Sequence, residues 1–428
     1  MNTLRKSADK NLIRRLNIAL ILNHLRTTHC RTRASLAAAT GLTRATVSSL
    51  VDELIALNLV REMGLQLSQG GRPGTGLELN PAGGCAIGVE IGVGFVEAVL
   101  TDFVATVQWR DRVEFDTRLS DEVISIAEKL ARRAERESKK LGWKLLGIGL
   151  GLPGLVKIDE GLLKFAPNLG WRDIRFQALW EKKFGVPVHA VNEGSAAALA
   201  EHYFGVAANY HDFIYLSASS VGLGAGIMID GKLFQGIDGY AGEVGHMVLD
   251  PSGPLCACGR HGCWEKVAGS PAIIKYVMDQ AQTGRSTKVL DIIQGNLSKL
   301  SVDLIAQAAS EGDAVAYEAI AQVSQLFGVG IINLINTFNP QLIVIGGALS
   351  PALKPFLPTI VNVINQQAFR ALSDSVAIEI SRLGDDACVM GAVAAVLDIV
   401  FTDPTRGLRG DGGTEMLTPG NPRMVGVK

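Results

Sequence analysis

Apolar residues recur at helical spacing through the first part of the chain. Residues 12–27, LIRRLNIALILNHLRT, follow this period with a broad apolar face, which predicts a buried helix. A second helix is expected over residues 35–39, followed by a tight turn at residues 40–42. Thr43 suits the N-cap of a third helix, because its hydroxyl can accept a backbone N–H of the first turn.

The third predicted helix has two unlike faces. Its apolar stripe consists of Val47, Leu50, Val51, Leu54 and Ile55. The opposite face is small, polar or basic, so this helix can lie close to base edges in a major groove. The pattern predicts a helix-turn-helix, although an ordinary helical hairpin is the alternative. The candidate DNA contacts are Arg33, Thr43, Arg44, Ala45, Thr46, Ser48 and Ser49.

Two short strand-like pieces follow, on either side of the glycine-rich tip SQGGRPG. This pattern predicts a β-hairpin wing beside the helix-turn-helix. Arg72 stands between Gly71 and Pro73, where it can enter a minor groove whose narrow width concentrates negative potential. The alternative is that this segment is a flexible linker.

The pattern changes at about residue 83, where a strand, a glycine turn and a strand are followed by a helix near residues 120–141. The same order returns from about residue 212. Two weakly similar halves indicate an internally duplicated α/β fold with a cleft between its lobes, and both glycine turns are expected to face that cleft. The predicted units are a head (1–82), a first lobe (83–191, completed by a helix near 385–402), a second lobe (192–384) and a mobile tail (403–428).

Charge is divided unevenly along the 428 residues. The first 80 residues hold 11 Lys and Arg against five Asp and Glu, whereas the rest hold 30 against 37. A basic head on an acidic body favours nucleic-acid binding, although a merely solvated N-terminus is the alternative. We find no apolar run of the roughly 18 residues that a membrane span needs and no signal peptide. We therefore expect a cytoplasmic protein without membrane insertion.

Three of the six cysteines, Cys256, Cys258 and Cys263, lie within eight positions, and His246 precedes them by ten residues. Cytoplasmic thiols stay reduced, so this crowding favours metal ligation over disulfides. Three thiolates and one imidazole suit a closed, tetrahedral structural zinc site. His261 is an alternative fourth ligand, and a redox pair or buried free thiols are the alternative reading of the cluster.

Two carboxylates, Glu243 and Glu265, flank the predicted metal loop. A metal that orders the loop would also fix these side chains at the cleft, where they can accept hydrogen bonds from sugar hydroxyls. The alternative is that both are ordinary surface charges near a metal loop.

The stretch AGEVGHMVLDPSGPLCACGRHGCWE resembles the signature of the ROK family, which groups repressors with sugar kinases. A helix-turn-helix ahead of it resembles the repressor branch, which includes xylose and N-acetylglucosamine repressors. The resemblance covers about residues 10–400. It implies an actin-like ATPase (ribonuclease H-like) body of two lobes and zinc on the four residues named above. The sugar contacts expected from it are Asn168, Asn192, Glu193, Glu243, His246 and Glu265.

The phosphate-handling motifs of the family's kinases are altered in this chain. Where those kinases have Asp-Ile-Gly-Gly-Thr, this chain has residues 90–94, EIGVG, and Glu193 stands at the position of the catalytic Asp. In the second phosphate loop, Val221 stands where the kinases have Thr and Ala225 where they have Gly. Phosphoryl transfer depends on close positioning, so we expect no enzyme activity.

These observations together predict a sugar-responsive transcriptional regulator, most simply a repressor, whose partners are operator DNA, a sugar effector and a second copy in a homodimer or homotetramer. Two other classes stay open. One is a bifunctional sugar kinase with a DNA-binding head, and the other is a regulator controlled by a protein partner.

Overall fold

In the computed structural model, residues 10–28, 31–66, 74–219, 222–294 and 296–403 are described. Among these residues the head has three helices and three strands, and all of them except β1 were predicted in this order. They are α1 (Lys10–Thr27), β1 (Arg31–Thr32), α2 (Arg33–Thr40), α3 (Arg44–Ala56), β2 (Val60–Gln66) and β3 (Gly74–Leu79). Strands β2 and β3 form an antiparallel hairpin, and β1 pairs with the other edge of β3.

Local side-chain chemistry sets the ends of the head helices. Thr43 caps α3 as predicted, and its hydroxyl accepts the backbone N–H of Thr46. Helix α2 starts two residues earlier than predicted, because Thr32 and Ser35 form a reciprocal capping box. The α2–α3 turn passes through Gly41 at φ 71°, which ends α2 in the left-handed region.

The segment from residue 85 to residue 204 forms the first large sheet and its helices. Its elements are β4 (Cys85–Ile91), β5 (Phe95–Asp102), β6 (Val107–Glu114), α4 (Ser120–Leu141), β7 (Leu145–Leu152), β8 (Leu155–Lys157), β9 (Leu162–Ala166), β10 (Trp171–Arg175), α5 (Phe176–Phe184), β11 (Val188–Asn192) and α6 (Glu193–Phe204). The predicted helix at 120–141 is confirmed. Two features were not predicted: β6, an edge strand with many charged residues, and the short strands β8–β10, which form a separate small sheet.

The segment from residue 213 to residue 402 forms the second large sheet and most of the remaining helices. Its elements are β12 (Phe213–Ala218), β13 (Leu223–Ile229), β14 (Lys232–Leu233), α7 (Trp264–Val267), α8 (Ser270–Gln282), α9 (Lys288–Ile293), α10 (Val302–Ser310), α11 (Ala314–Phe338), β15 (Leu342–Gly346), α12 (Ser350–Leu353), α13 (Leu357–Gln367), α14 (Arg370–Ser373), β16 (Ala377–Ile380) and α15 (Asp386–Thr402).

The two large sheets have the same topology, so the predicted internal duplication is confirmed. The first sheet has the order β6-β5-β4-β7-β11 and the second β14-β13-β12-β15-β16. In each, the first three strands along the chain are antiparallel, and the last two join in parallel on the other side of the first strand. Parallel pairs need long crossovers, and helices supply them here.

Helices α6 and α15 lie between the two large sheets. Helix α15 packs on β4 and β7 of the first sheet, whereas α6 packs on β12 and β13 of the second. The helices touch each other closely at Gly391, where an added Cβ would lie 1.8 Å from the carbonyl oxygen of Ala196. The head shares one apolar core with this helix pair, because Ile21 and Leu25 of α1 belong to the same buried cluster as Phe401 of α15.

Helix α11 corrects one expectation. At 25 residues, this helix is long and apolar enough to cross a membrane by length and composition, whereas no such run was expected from the sequence. About 61% of its most apolar stretch is buried inside the protein, where the helix packs against α8, α10 and α13. Burial of this kind is typical of a core helix, and it explains the apolar composition without a membrane.

Candidate functional site

A loop between β14 and α7 brings the predicted metal ligands together. The ligand atoms of His246, Cys256, Cys258 and Cys263 all lie within 4.8 Å of one another. Nδ1 of His246 is 3.6 Å from Sγ of Cys256, and the sulfurs of Cys258 and Cys263 are 3.5 Å apart. Tetrahedral zinc, with bonds of about 2.3 Å to sulfur and 2.0–2.1 Å to nitrogen, separates its ligand atoms by about 3.5–3.8 Å. The donor set and its spacing therefore fit zinc.

Backbone contacts give the metal loop its shape. Two short antiparallel bridges join Val248 to Cys263 and Leu255 to His261. Gly262 allows the closest approach, since an added Cβ there would lie 1.4 Å from the carbonyl oxygen of Asp250. His261 is exposed, and its Nδ1 lies 2.9 Å from the carbonyl oxygen of Gly253, outside the four-residue group. The geometry favours His246 over His261 as the fourth ligand.

His246 presents its two ring nitrogens to different neighbours. Its Nδ1 faces the thiol of Cys256, and its Nε2 lies 3.9 Å from the carboxylate of Glu243. Because the two nitrogens of an imidazole can act separately, one can bind a metal while the other faces the cleft. Glu265 follows the loop and accepts a hydrogen bond of 3.2 Å from the Cys256 thiol.

A row of carboxylates runs from this loop towards the first sheet. Burial raises the pKa of Glu193 to about 7, and the negative charge of Glu243 adds to the shift. Burial also raises the pKa of Glu243, with His246 opposing and Glu265 reinforcing the change. At the other end, burial and then Glu193 raise the pKa of Glu90 to about 8. The charge effects link Glu265 to Glu243, Glu243 to Glu193 and Glu193 to Glu90, so neighbouring members of the row repel each other.

Sequence reasoning did not place Glu90 in the site as a side chain that acts with Glu193. Oε2 of Glu90 is buried and lacks a hydrogen-bond partner among the described residues. The Cys388 thiol at the start of α15 lies beside it, and burial holds the pKa of that thiol well above its usual value, with Glu90 adding to the effect. No local signal could have revealed this grouping, because its members come from three distant parts of the chain.

The two predicted asparagine contacts occupy different settings. Asn192 caps α6, where its Oδ1 accepts the backbone N–H of Gly194, and its Nδ2 donates to the carbonyl oxygen of Gly154 at 2.7 Å. It therefore ties the start of α6 to the loop between β7 and β8. Asn168 is exposed in the turn between β9 and β10. Its contribution to a pocket stays a prediction.

The raised pKa of Glu193 predicts a pH-dependent stability. The folded chain keeps this proton up to about pH 7, whereas the unfolded chain loses it near the ordinary value of 4.5. The stabilisation is therefore fully present below about pH 4.5 and is lost as the pH rises to about 7. Glu193→Gln should exceed the wild type in free energy of unfolding by about 1–2 kcal/mol at about pH 8, allowing for partial exposure. The difference should vanish near about pH 4, below the ordinary pKa of a glutamate.

Denaturant unfolding at the two pH values measures this difference. Glu311→Gln, which neutralises an exposed carboxylate at the α10–α11 turn, is the matched control. An advantage of Glu193→Gln that is the same at both pH values would show that the proton on Glu193 is not responsible.

In the head, the predicted DNA contacts differ in availability. Thr43, Arg44, Ala45 and Ser49 are exposed, and Thr46 and Ser48 are half-buried. Arg33 forms ion pairs with Asp52 at 2.8 Å and Glu62 at 2.6 Å, so its guanidinium is already engaged within the head. Arg72 and Val221 lie outside the described residues.

Comparison with known proteins shows similarity to one family along most of the chain. The sequence model of the ROK family matches residues 86–399. The chain is 35% identical over 401 residues to the xylose repressor of Caldicellulosiruptor bescii, covering 92% of this chain and 99% of that protein.

Solved structures give the same result. The crystal structure of a ROK family transcriptional regulator, a homologue of the E. coli MLC protein, superposes with a TM-score of 0.78 at 28% identity and covers 92% of this chain and 98% of that one. A ROK family glucokinase from Streptomyces griseus, in complex with glucose and AMPPNP, gives a TM-score of 0.65 at 28% identity. That match covers 72% of this chain and 98% of the kinase. The predicted two-lobed α/β body of the actin-like type is thereby confirmed.

Proposed function

The chain belongs to the ROK family, and from this premise we propose that it is a sugar-responsive, DNA-binding repressor of carbohydrate-metabolism genes that acts in the cytoplasm. The observation that carries the proposal is the similarity to a xylose repressor along almost the whole of both chains, head included. The kinase match covers only 72% of this chain, which leaves room for a head in addition to the body.

We take residues 1–82 as a winged helix-turn-helix head, with 83–191 and 385–402 as the first lobe and 192–384 as the second. Helix α3 would enter the major groove, and the wing would contact the backbone or minor groove through Arg72. Arg44 and the hydroxyls of Thr43, Thr46, Ser48 and Ser49 would read bases or phosphates, and Ala45 allows close approach. Arg33 would first have to leave its two ion pairs. A homodimer would place two such heads one helical turn of DNA apart.

The metal loop would carry one structural zinc ion on His246, Cys256, Cys258 and Cys263. Four protein ligands fill a tetrahedral site, so the ion would order the loop rather than activate water. Bound zinc would fix Glu243 and Glu265 relative to each other at the cleft. This role suits the many glycine turns of the loop, which buries little apolar surface of its own.

The effector pocket would lie beside that loop. Glu243 and Glu265 would accept hydrogen bonds from sugar hydroxyls, and Nε2 of His246 would contact the same ligand. Asn168 from the first lobe, and Asn192 and Glu193 at the start of the second lobe, would complete the pocket. A sugar can drive operator release only if it binds the DNA-incompetent arrangement more tightly than the competent one.

The chain is proposed to have no kinase activity. An added Cβ on Gly92 would lie 2.2 Å from the ring of Phe95, so an aromatic side chain covers the turn that corresponds to the first phosphate loop. The guanidinium of Arg112 in turn stacks 3.7 Å from the centroid of that ring. The alternative, a bifunctional kinase, would require ATP phosphates to displace this stack.

Selection of a duplex operator with the intact chain, followed by titration with sugars, tests the proposed function. D-xylose, D-glucose and N-acetylglucosamine form the first panel. We expect one of them to weaken operator binding about 5- to 150-fold, the range of ordinary allosteric coupling. Arg44→Ala should bind the operator poorly under all conditions. An unchanged operator affinity with every sugar would favour control by a protein partner.

A further inference from the structure

The head is joined to both large sheets through one cluster of side chains, which we call the three-helix junction. It consists of Arg26 on α1, Tyr203 on α6, and Asp398 and Phe401 on α15. Helix α6 packs on the second sheet and α15 on the first. The junction therefore lies where these two helices meet α1 of the head.

Arg26 reaches the α6 side of the junction. Its guanidinium carbon lies 4.3 Å from the centroid of the Tyr203 ring, within the range of a cation–π contact. One of its terminal nitrogens also donates to the carbonyl oxygen of Tyr203 at 3.4 Å. A planar guanidinium can make both contacts together, whereas the ammonium of a lysine has no flat face to stack.

Asp398 on α15 interacts with both Tyr203 and Arg26. The hydroxyl of Tyr203 donates a short hydrogen bond to its carboxylate, and Arg26 attracts that carboxylate electrostatically. The ring of Tyr203 also stacks on Phe401, with centroids 6.1 Å apart. Tyr203 is only 9% exposed, so these polar groups meet in surroundings with little water, where their interactions are strengthened.

Other contacts tie the head to α15. Asn23 donates to the carbonyl oxygen of Phe401 at 3.2 Å, and Arg15 pairs with Asp403 at 2.9 Å. These bonds connect α1 to α15, which packs on the first sheet. The contacts of Arg26 with Tyr203 connect α1 also to α6, which packs on the second sheet.

The far ends of α6 and α15 lie among the carboxylates described above, at the proposed cleft. Helix α6 starts at Glu193, and α15 carries Cys388 beside Glu90 in its first turn. A change in the angle between the sheets displaces one helix relative to the other. Each helix then carries that displacement from the cleft to the junction, because a packed helix moves nearly as a rigid body.

We propose that Arg26, Tyr203 and Asp398 are positioning residues that couple the separation of the two lobes to the placement of the DNA-binding head. Helix α1 contacts α6 through Arg26 and α15 through Asn23, so the head follows the lobe angle rather than one lobe alone. The proposal rests on the proposed function in that the head binds DNA, but it does not require the effector to be a sugar.

Linkage is reciprocal, which allows a test with DNA alone. The intact chain is mixed with the duplex it selects, and amide hydrogen exchange is followed at residues 193–199, the cleft end of α6. Operator binding should change exchange there about 5- to 150-fold in the wild type. In Arg26→Met, which keeps the aliphatic length of the side chain, that change should disappear while operator affinity persists.

Arg14→Met is the matched control, because Arg14 lies on the same helix and pairs with Glu53 inside the head. It should keep the full response of the cleft amides. Arg26→Lys should recover only part of the response, since it restores charge without stacking. Tyr203→Phe keeps the ring and removes the hydrogen bond to Asp398, and it serves as a second, milder variant if Arg26→Met does not fold.

Three results would overturn the proposal. They are a wild-type cleft that does not respond to operator, a wild-type response in both Arg26→Met and Tyr203→Phe, and an equal loss in Arg14→Met. A negative sugar panel combined with a cleft that responds to operator would instead contradict the proposed effector and leave the junction supported.

Discussion

Replacing Cys256 and Cys258 together by serine is expected to remove bound zinc and to unfold the loop between residues 246 and 263. Serine hydroxyls are poor zinc ligands at neutral pH, so two of the four donors are lost. Structural zinc contributes roughly 10–16 kcal/mol of apparent binding free energy in small zinc domains, a value as large as the whole stability of a typical domain. The loop has few apolar contacts that could replace the stabilisation from bound zinc.

Metal analysis and hydrogen exchange measure this effect separately. The wild type should carry about one zinc ion per chain and the double variant close to none. Amide protection over residues 244–269 should collapse, whereas protection of the head helices should persist because they belong to a different part of the core. Cys85→Ala removes a buried thiol outside the ligand group and should keep its zinc. Retention of stoichiometric zinc and of loop protection by the double variant would refute the assignment of the ligands.

The sequence revealed those features of the site whose chemistry lies within a short stretch of chain. The four metal ligands fall within 18 residues, so their spacing alone was enough to predict the group that the structure brings together. The cap at Thr43 was predictable for the same reason, since a capping side chain acts on a backbone group three residues away. The duplication was visible because both halves repeat the order of strand, turn and strand.

Features that depend on tertiary contacts were not predictable. Glu90, Glu193 and Cys388 meet only because α15 returns from the far end of the chain to pack on the first sheet. Arg33 illustrates the same limit in the head. It was predicted as a DNA contact, but the fold brings two carboxylates to its guanidinium. The charge of a residue does not show whether its side chain is available to bind DNA until its neighbours in the fold are known.

Replacing Glu243 by glutamine is expected to shift the response to the effector to much higher sugar concentrations while leaving operator affinity intact. The carboxylate lies 3.9 Å from Nε2 of His246, and its charge raises the pKa of Glu193; a sugar hydroxyl would donate to it there. Hydrogen bonds to charged groups contribute about 1.5–3 kcal/mol, whereas a neutral amide recovers only part of that. Sugar affinity should therefore fall about 10- to 150-fold, because each 1.4 kcal/mol corresponds to a factor of ten.

The measurement is the sugar concentration that releases half of the bound operator. In Glu243→Gln that concentration should rise by the same 10- to 150-fold factor, about as far as the loss of a charged hydrogen bond allows. Glu311→Gln removes an equal charge from an exposed turn of the second-sheet segment and should behave as the wild type. Zinc content should be unchanged, which separates this variant from a ligand replacement. Release of operator from Glu243→Gln at the wild-type sugar concentration would show that the effector binds elsewhere. The reason is that a charged acceptor that contacts the sugar forms a stronger hydrogen bond than a neutral one, so its replacement must weaken sugar binding.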